Sequence, residues 1–184
     1  VIILEGPDGG GKTTLAKAIC EELGLDYRRP SEQLLSSESG PSSELPQWWV
    51  EQWRGSRGYK ARGVYDRCFW ISEPIYQMAQ IKRDLLVPEL NLWRGIHDLW
   101  GEGPLIVFCM PSMDVQYSNV IQDGRASLKG LEYKHLEKVN FMYWAFYAMW
   151  QNMAFEDVIH YDYTEQPIEN VISWVDQALK ARSK

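Results

Sequence analysis

The run Gly6-Pro7-Asp8-Gly9-Gly10-Gly11-Lys12-Thr13 constrains the fold more than any other stretch, because it works in only one local setting. Glycine, four arbitrary residues, glycine, lysine and then serine or threonine is the spacing of a loop whose backbone N–H groups cradle phosphate. Such a loop needs a strand before it and a helix after it. Val1-Ile2-Ile3-Leu4 reads as a short buried strand, and Lys12 to Leu23 as a helix with Leu15, Ile19 and Leu23 on one face and Gly24 as its stop. Gly6, Gly9, Gly10 and Gly11 let the backbone approach an anion closely, and the new helix points the positive end of its dipole at it. Lys12 then reaches the terminal phosphates and the Thr13 hydroxyl ligates Mg²⁺, with Thr14 the next residue of the cradle.

Further along, Leu25-Asp26-Tyr27-Arg28-Arg29-Pro30 predicts a second strand. Open parallel sheets bind ligands beyond the carboxyl ends of their strands, so Arg28 and Arg29 are expected to face the phosphate loop's crevice. Residues 31–46, rich in Ser, Glu, Gly and Pro, predict a loop. Pro46 then opens a helical stretch with Trp49 and Trp53 on one face, followed by Arg54, Arg57, Lys60 and Arg62. This basic and aromatic cluster reads either as a solvated face over a tryptophan core or as a platform for a base and its phosphate. Gly63-Val64-Tyr65 predicts a third strand ending in Asp66-Arg67, again at the crevice.

Ser72-Glu73-Pro74 is expected to start the next helix, and Pro88 another that buries Leu90, Trp93, Ile96 and Trp100. Leu105 to Cys109 is apolar without alternation, as in a parallel strand covered on both faces. Pro111-Ser112 leads a helix to about Ile121, and the polar segment from Gln122 carries Arg125 and Lys129. Leu136, Val139, Met142, Phe146, Met149 and Met153 step along one side of a long helix. Val158 to Tyr161 predicts a fifth strand, and Thr164 the cap of a last helix whose Ile168, Val171, Ile172, Val175 and Leu179 pack inward. Strands separated by helices throughout predict one doubly wound α/β domain over residues 1–184, with a five-stranded parallel sheet and helices on both faces.

The net charge of −6 over 184 residues provides no global basic field for nucleic acid or anionic membrane. Three scattered cysteines and three scattered histidines suggest neither a disulfide framework nor zinc. The longest apolar run, Phe141 to Trp150, is short for a bilayer. With a strand at the very start, the expectation is a cytoplasmic protein without leader or membrane partner; nothing bears on oligomeric state.

On these residues the chain resembles the P-loop nucleoside and nucleotide kinases, most closely the thymidylate kinase branch. The resemblance is carried by Leu4-Glu5-Gly6-Pro7-Asp8-Gly9 and by Asp66-Arg67, while Ser72-Glu73-Pro74-Ile75-Tyr76 is similar to short enzymes of this type in bacteriophages. It implies a kinase that uses ATP and Mg²⁺, in the host cytoplasm if phage-encoded. It further implies that Asp66 holds Mg²⁺ beside Thr13, that Arg67 contacts the phosphates in transfer, and that Arg28 or Arg29 receives the acceptor's phosphate. Asp8 would meet the sugar hydroxyl, Trp49 or Trp53 would stack on the base with Arg54 beyond, and residues 31–62 would form the acceptor-binding insert. Residues 122–131 would be the lid, with Arg125 on the ATP phosphates. The chain departs from the branch in a shorter helix before Asp66 and in Ser118 and Asn119 standing where an arginine is usual.

A regulatory GTPase lacks support, since no Asn-Lys-x-Asp signature occurs. A motor or helicase-type ATPase would place a carboxylate where this chain runs Cys109-Met110-Pro111. Two acceptors fit a kinase: a pyrimidine deoxynucleotide such as a dTMP-like monophosphate, or hydroxymethyluracil within DNA. The first needs its anionic oxygen positioned; the second is an alcohol and needs a base, for which Asp8 and Glu73 are the candidates.

Overall fold

The computed structural model describes residues 1–31, 44, 47–48, 63–79, 104–123, 133–152 and 157–182. Within these, five strands form one parallel sheet: β1 (Ile2–Glu5), β2 (Asp26–Arg28), β3 (Gly63–Asp66), β4 (Leu105–Cys109) and β5 (Val158–Tyr161), in the order β2-β3-β1-β4-β5. The helices are α1 (Lys12–Leu23), α2 (Phe69–Met78), α3 (Met113–Gln122), α4 (Tyr133–Asn152) and α5 (Ile168–Arg182). This is the doubly wound five-stranded parallel architecture read from the sequence.

Period-two alternation divides each interior strand between two cores. Ile3, Tyr65, Ile106 and Phe108 face α2 and α4, where Ile71, Ile75, Val139, Tyr143, Phe146 and Trp150 pack. Ile2, Leu4, Val64, Leu105 and Val107 face the other way, against Leu15, Ala16 and Ile19 of α1 and Val171 and Val175 of α5. Phe108 is the hinge of the first core, with Trp150 edge-on at 5.3 Å and Tyr143 at 6.3 Å between ring centroids. α4 buries Leu136, Val139, Tyr143, Phe146 and Trp150, so its deep stripe runs through Tyr143 and Trp150 and leaves Met142 and Met149 only partly buried.

α1 has the expected bounds. It stops at Gly24, whose φ of 62° allows the left-handed cap and whose N–H donates to the Cys20 carbonyl. Two helix starts differ from the sequence reading. α2 begins at Phe69, before Ser72, because the Cys68 carbonyl already accepts the N–H groups of Ile71 and Ser72, and Pro74 lies inside the helix. α5 begins at Ile168, and Thr164 is not its cap. The Asp162 carboxylate instead takes both the Thr164 N–H and hydroxyl, at 2.8 and 2.6 Å, closing a turn before Pro167. The expected helices around Trp49 and after Pro88 lie mostly or wholly outside the described residues, as does the expected lid beyond Asp123.

Candidate active site

At the carboxyl ends of β1 and β3 the phosphate loop and the Asp66–Arg67 turn border a cavity of about 430 Å³. Its walls are Asp8 to Leu15 on the loop and α1, Arg29 after β2, Asp66 at the end of β3 and Arg67 after it, Asn119 and Gln122 on α3 and Asp123 just past it, and Tyr161 at the end of β5 with Tyr163 and Ile168 beyond. The loop is pressed against its neighbours so closely that glycine is required. A Cβ on Gly6 (φ 142°) would stand 2.2 Å from the Cys109 carbonyl, and one on Gly9 (φ 77°) 2.3 Å from the Gln116 carbonyl. Gly6 thus serves as the buried foot of the loop, while Gly9, Gly10 and Gly11 line the cavity.

Lys12 is buried, and its ammonium donates to the carbonyls of Gly6 at 2.9 Å and Pro7 at 2.6 Å. Burial and the nearby Arg67 charge bring it down to about 8, against the pull of Asp66 and Asp8. Asp66 Oδ2 accepts the Thr13 hydroxyl at 2.7 Å and the Tyr27 hydroxyl at 2.9 Å. Burial opposes its ionisation, but Lys12, Thr13, Arg67 and Tyr27 together hold it below the ordinary carboxylate range. A hydroxyl and an ionised carboxylate side by side at a phosphate loop are hard oxygen donors of the kind Mg²⁺ takes.

Arg67 adopts φ 76°, unusual for a residue with a side chain. Its backbone N–H donates to the Leu4 carbonyl at 2.9 Å. Its guanidinium donates to Asp8 at 2.5 Å and to the Tyr143 hydroxyl at 3.3 Å, and lies 5.4 Å from the Tyr76 ring centroid. Asp8 is therefore Arg67's ion-pair partner.

Of the two arginines after β2, Arg29 lines the cavity and Arg28 does not. Side chains two apart share one side of a strand, so Arg28 reaches back to Asp26 at 2.8 Å on the exposed edge, while Tyr27 points the other way, to Asp66. Glu73 is 2% exposed on α2 and is not among the cavity's walls. Thr14 lines the cavity on its exposed side. Trp49, Trp53, Arg54 and Arg125 lie outside the described residues.

Several site residues were not legible in the sequence. Asn119, noted only as standing in an arginine's place, donates to the Gly9 carbonyl at 2.8 Å and to the Tyr163 hydroxyl at 2.6 Å, pinning the loop to the β5 side. Glu5 is wholly buried beneath the loop and accepts from Cys68 N–H, Ser72 and Tyr143. A carboxylate closing an otherwise apolar strand was the one available signal. Tyr27 and Tyr143 carry no local spacing that marks them, and only the fold brings their hydroxyls to Asp66 and Glu5.

A model of the ATPase family associated with various cellular activities (AAA) matches residues 2–70, the stretch from β1 to the start of α2 that holds the phosphate loop and Asp66. β4 does run into Met110-Pro111 without a carboxylate. Comparison with curated proteins finds no match. Among solved structures, Bacillus subtilis YorR in complex with phosphorylated GDP superposes with a TM-score of 0.69 at 17% identity, covering 97% of this chain and 95% of that one. Deoxyadenosine kinase from M. mycoides with bound dATP gives 0.61 at 16% identity, covering 97% and 98%. The same enzyme with the products dCMP and a flexible dCDP gives 0.61 at 17%, covering 98% of each chain. The fold is that of the P-loop nucleotide kinases. Among the described residues no helix is long and apolar enough to cross a membrane.

Proposed function

We propose that the chain is an ATP-dependent kinase that transfers the γ-phosphoryl group to a pyrimidine deoxynucleotide, a dTMP-like monophosphate first among them. The observation that carries this reading is one cavity lined by Lys12 and Thr13 of the phosphate loop together with Arg29, Asp66 and Arg67. In this reading Lys12 serves the donor triphosphate and Arg29 the acceptor phosphate.

In this reading the N–H groups of Gly9 to Gly11 and the start of α1 hold the donor's phosphates, and Lys12 leaves its loop carbonyls for their oxygens. Thr13 and Asp66 would hold Mg²⁺, which when bound neutralises charge on those oxygens. Arg29 takes the acceptor's phosphate. Arg67, already aimed by Asp8 and Tyr143, stabilises the group in flight as the acceptor oxygen bonds to the γ-phosphorus and the bond to the β–γ bridging oxygen breaks, releasing ADP. Asp8 is also the proposed contact to the acceptor's sugar hydroxyl. Trp49 or Trp53, with Arg54, is proposed for the acceptor base, and Arg125 for the ATP phosphates. Glu73, buried on α2, stays with Asp8 the proposed base for an alcohol acceptor.

A deoxynucleoside acceptor is the second reading, favoured by the similarity to a deoxyadenosine kinase. Hydroxymethyluracil in DNA draws no support from the comparisons. Labelled ATP offered with dTMP, other monophosphates, deoxynucleosides, and DNA with and without hydroxymethyluracil tests all three. Label on dTMP alone supports the proposal, label only on a nucleoside or on DNA moves the acceptor, and ATP binding without transfer to any acceptor overturns the kinase reading.

A further inference from the structure

Glu5 ends β1 directly below the phosphate loop, is wholly buried, and has no part in the chemistry just described. Its two oxygens meet three donors. Oε1 accepts the backbone N–H of Cys68, Oε2 accepts the Tyr143 hydroxyl at 3.0 Å, and the Ser72 hydroxyl lies 3.1 and 3.0 Å from the pair. A carboxylate withdrawn from water is costly unless donors converge on it, and the packing of β1 gives no reason for one, since Ile2, Ile3 and Leu4 fill the strand with apolar side chains.

Two of the three donors lead to Arg67. Cys68 is the next residue, so its anchored N–H fixes the chain where it leaves the left-handed turn at Arg67, a conformation that persists only when its surroundings hold it. Tyr143 accepts the Arg67 guanidinium at 3.3 Å while donating to Glu5, so a continuous chain of donors runs from the arginine to the buried carboxylate. Glu5 thus grips Arg67 by its backbone and by its side chain.

We propose that Glu5 is a positioning residue that sets Arg67 in the cavity through the Cys68 N–H and the Tyr143 hydroxyl, making α4 part of the phosphate site. The inference rests on the phosphate-contacting role proposed for Arg67. The groups around Glu5 fit it. Burial raises its carboxyl to about 7, while Arg67, the Cys68 N–H, Ser72 and, from α1, Lys12 favour the ionised form; Tyr143 on α4 and the Cys109 thiol on β4 face it from the other elements. A protonated Glu5 that donates to Tyr143 turns the donor chain around and loosens the hold on Arg67.

The test is a double-mutant cycle read by calorimetric binding of inorganic tripolyphosphate, with kcat and KM for ATP measured alongside. Glu5→Gln keeps the side-chain shape, and Tyr143→Phe keeps the ring in the core while removing only the hydroxyl. Each weakens tripolyphosphate binding about threefold to tenfold when Arg67 is present, and by less than about twofold in an Arg67→Gln background. In turnover KM for ATP rises by a comparable factor and kcat falls, and both changes shrink in the Arg67→Gln background. If the factors are the same with and without Arg67, Glu5 is a structural carboxylate and the inference is overturned. Should Glu5→Gln fail to fold, Glu5→Asp, which draws the carboxylate back from the Cys68 N–H and the Tyr143 hydroxyl, takes its place in the cycle with the same two outcomes. Coupling in a protein that transfers phosphate to no acceptor upholds the positioning of Arg67 and overturns the kinase reading alone.

Discussion

The hydroxyl of Thr13, on the first turn of α1, donates across 2.7 Å to Oδ2 of Asp66 at the end of β3. Two side-chain oxygens from residues 53 apart in the chain are thus held together beside the phosphate loop. With Tyr27 on the same carboxylate oxygen, Asp66 cannot swing away from the loop without losing two hydrogen bonds.

Asp66→Asn keeps the shape and removes the charge. The activation free energy of phosphoryl transfer should rise by about 3 kcal/mol or more, with the Mg²⁺ concentration for half-maximal rate displaced upward. A Mg²⁺ titration that superposes on the parent's would show that Asp66 does not serve the metal.

Lys12→Ala is expected to abolish transfer, and the structure adds a stability effect absent from the sequence reading. The ammonium bridges the Gly6 and Pro7 carbonyls from a buried position, so the alanine variant leaves both without that donor and costs about 1 to 3 kcal/mol of folding free energy. Urea unfolding measures the second effect and rate the first. Near-parental turnover would remove the lysine from the chemistry.

Gly6→Ala should be more damaging to the loop than its size suggests. Its Cβ would stand 2.2 Å from the Cys109 backbone oxygen at a φ that alanine avoids, so β1 and β4 must separate at the mouth of the site. ATP binding should weaken by at least about tenfold, equivalent to 1.4 kcal/mol, and the melting temperature should fall. Unchanged calorimetric affinity would mean that the loop relaxes in some other way.

Glu5 gives stability a definite dependence on pH. Its carboxyl is raised by burial from 4.5 to about 7, so between those values the folded protein keeps a proton that the unfolded chain has released. The stabilisation is fully present below 4.5 and lost as pH rises through about 7. Glu5→Gln has nothing to titrate there, so the parent's unfolding free energy minus the variant's should decline by about 3 kcal/mol over that window. A flat difference in urea unfolding across it would place the Glu5 proton elsewhere.

Most of the architecture could be read from local text. The phosphate loop, the bounds of α1 with its Gly24 cap, the apolar strand β4, the short strand β5 and the inward face of α5 are each written within one turn or one strand, where backbone freedom and hydrophobic period act over a few residues. Asp66 and Arg67 were legible for the same reason, as charges at a strand's end. What tertiary structure alone decided is which side chains meet. Arg29 lines the cavity while Arg28 turns back on Asp26, Asn119 reaches Gly9 across 110 residues, and Glu5 reaches Tyr143 across 138. No spacing expresses these pairs, because they depend on the order β2-β3-β1-β4-β5 and on how far each helix is rotated about its axis. A shift of one residue in the buried stripe of α4 would take the Tyr143 hydroxyl away from Glu5 by about 100° of helix rotation.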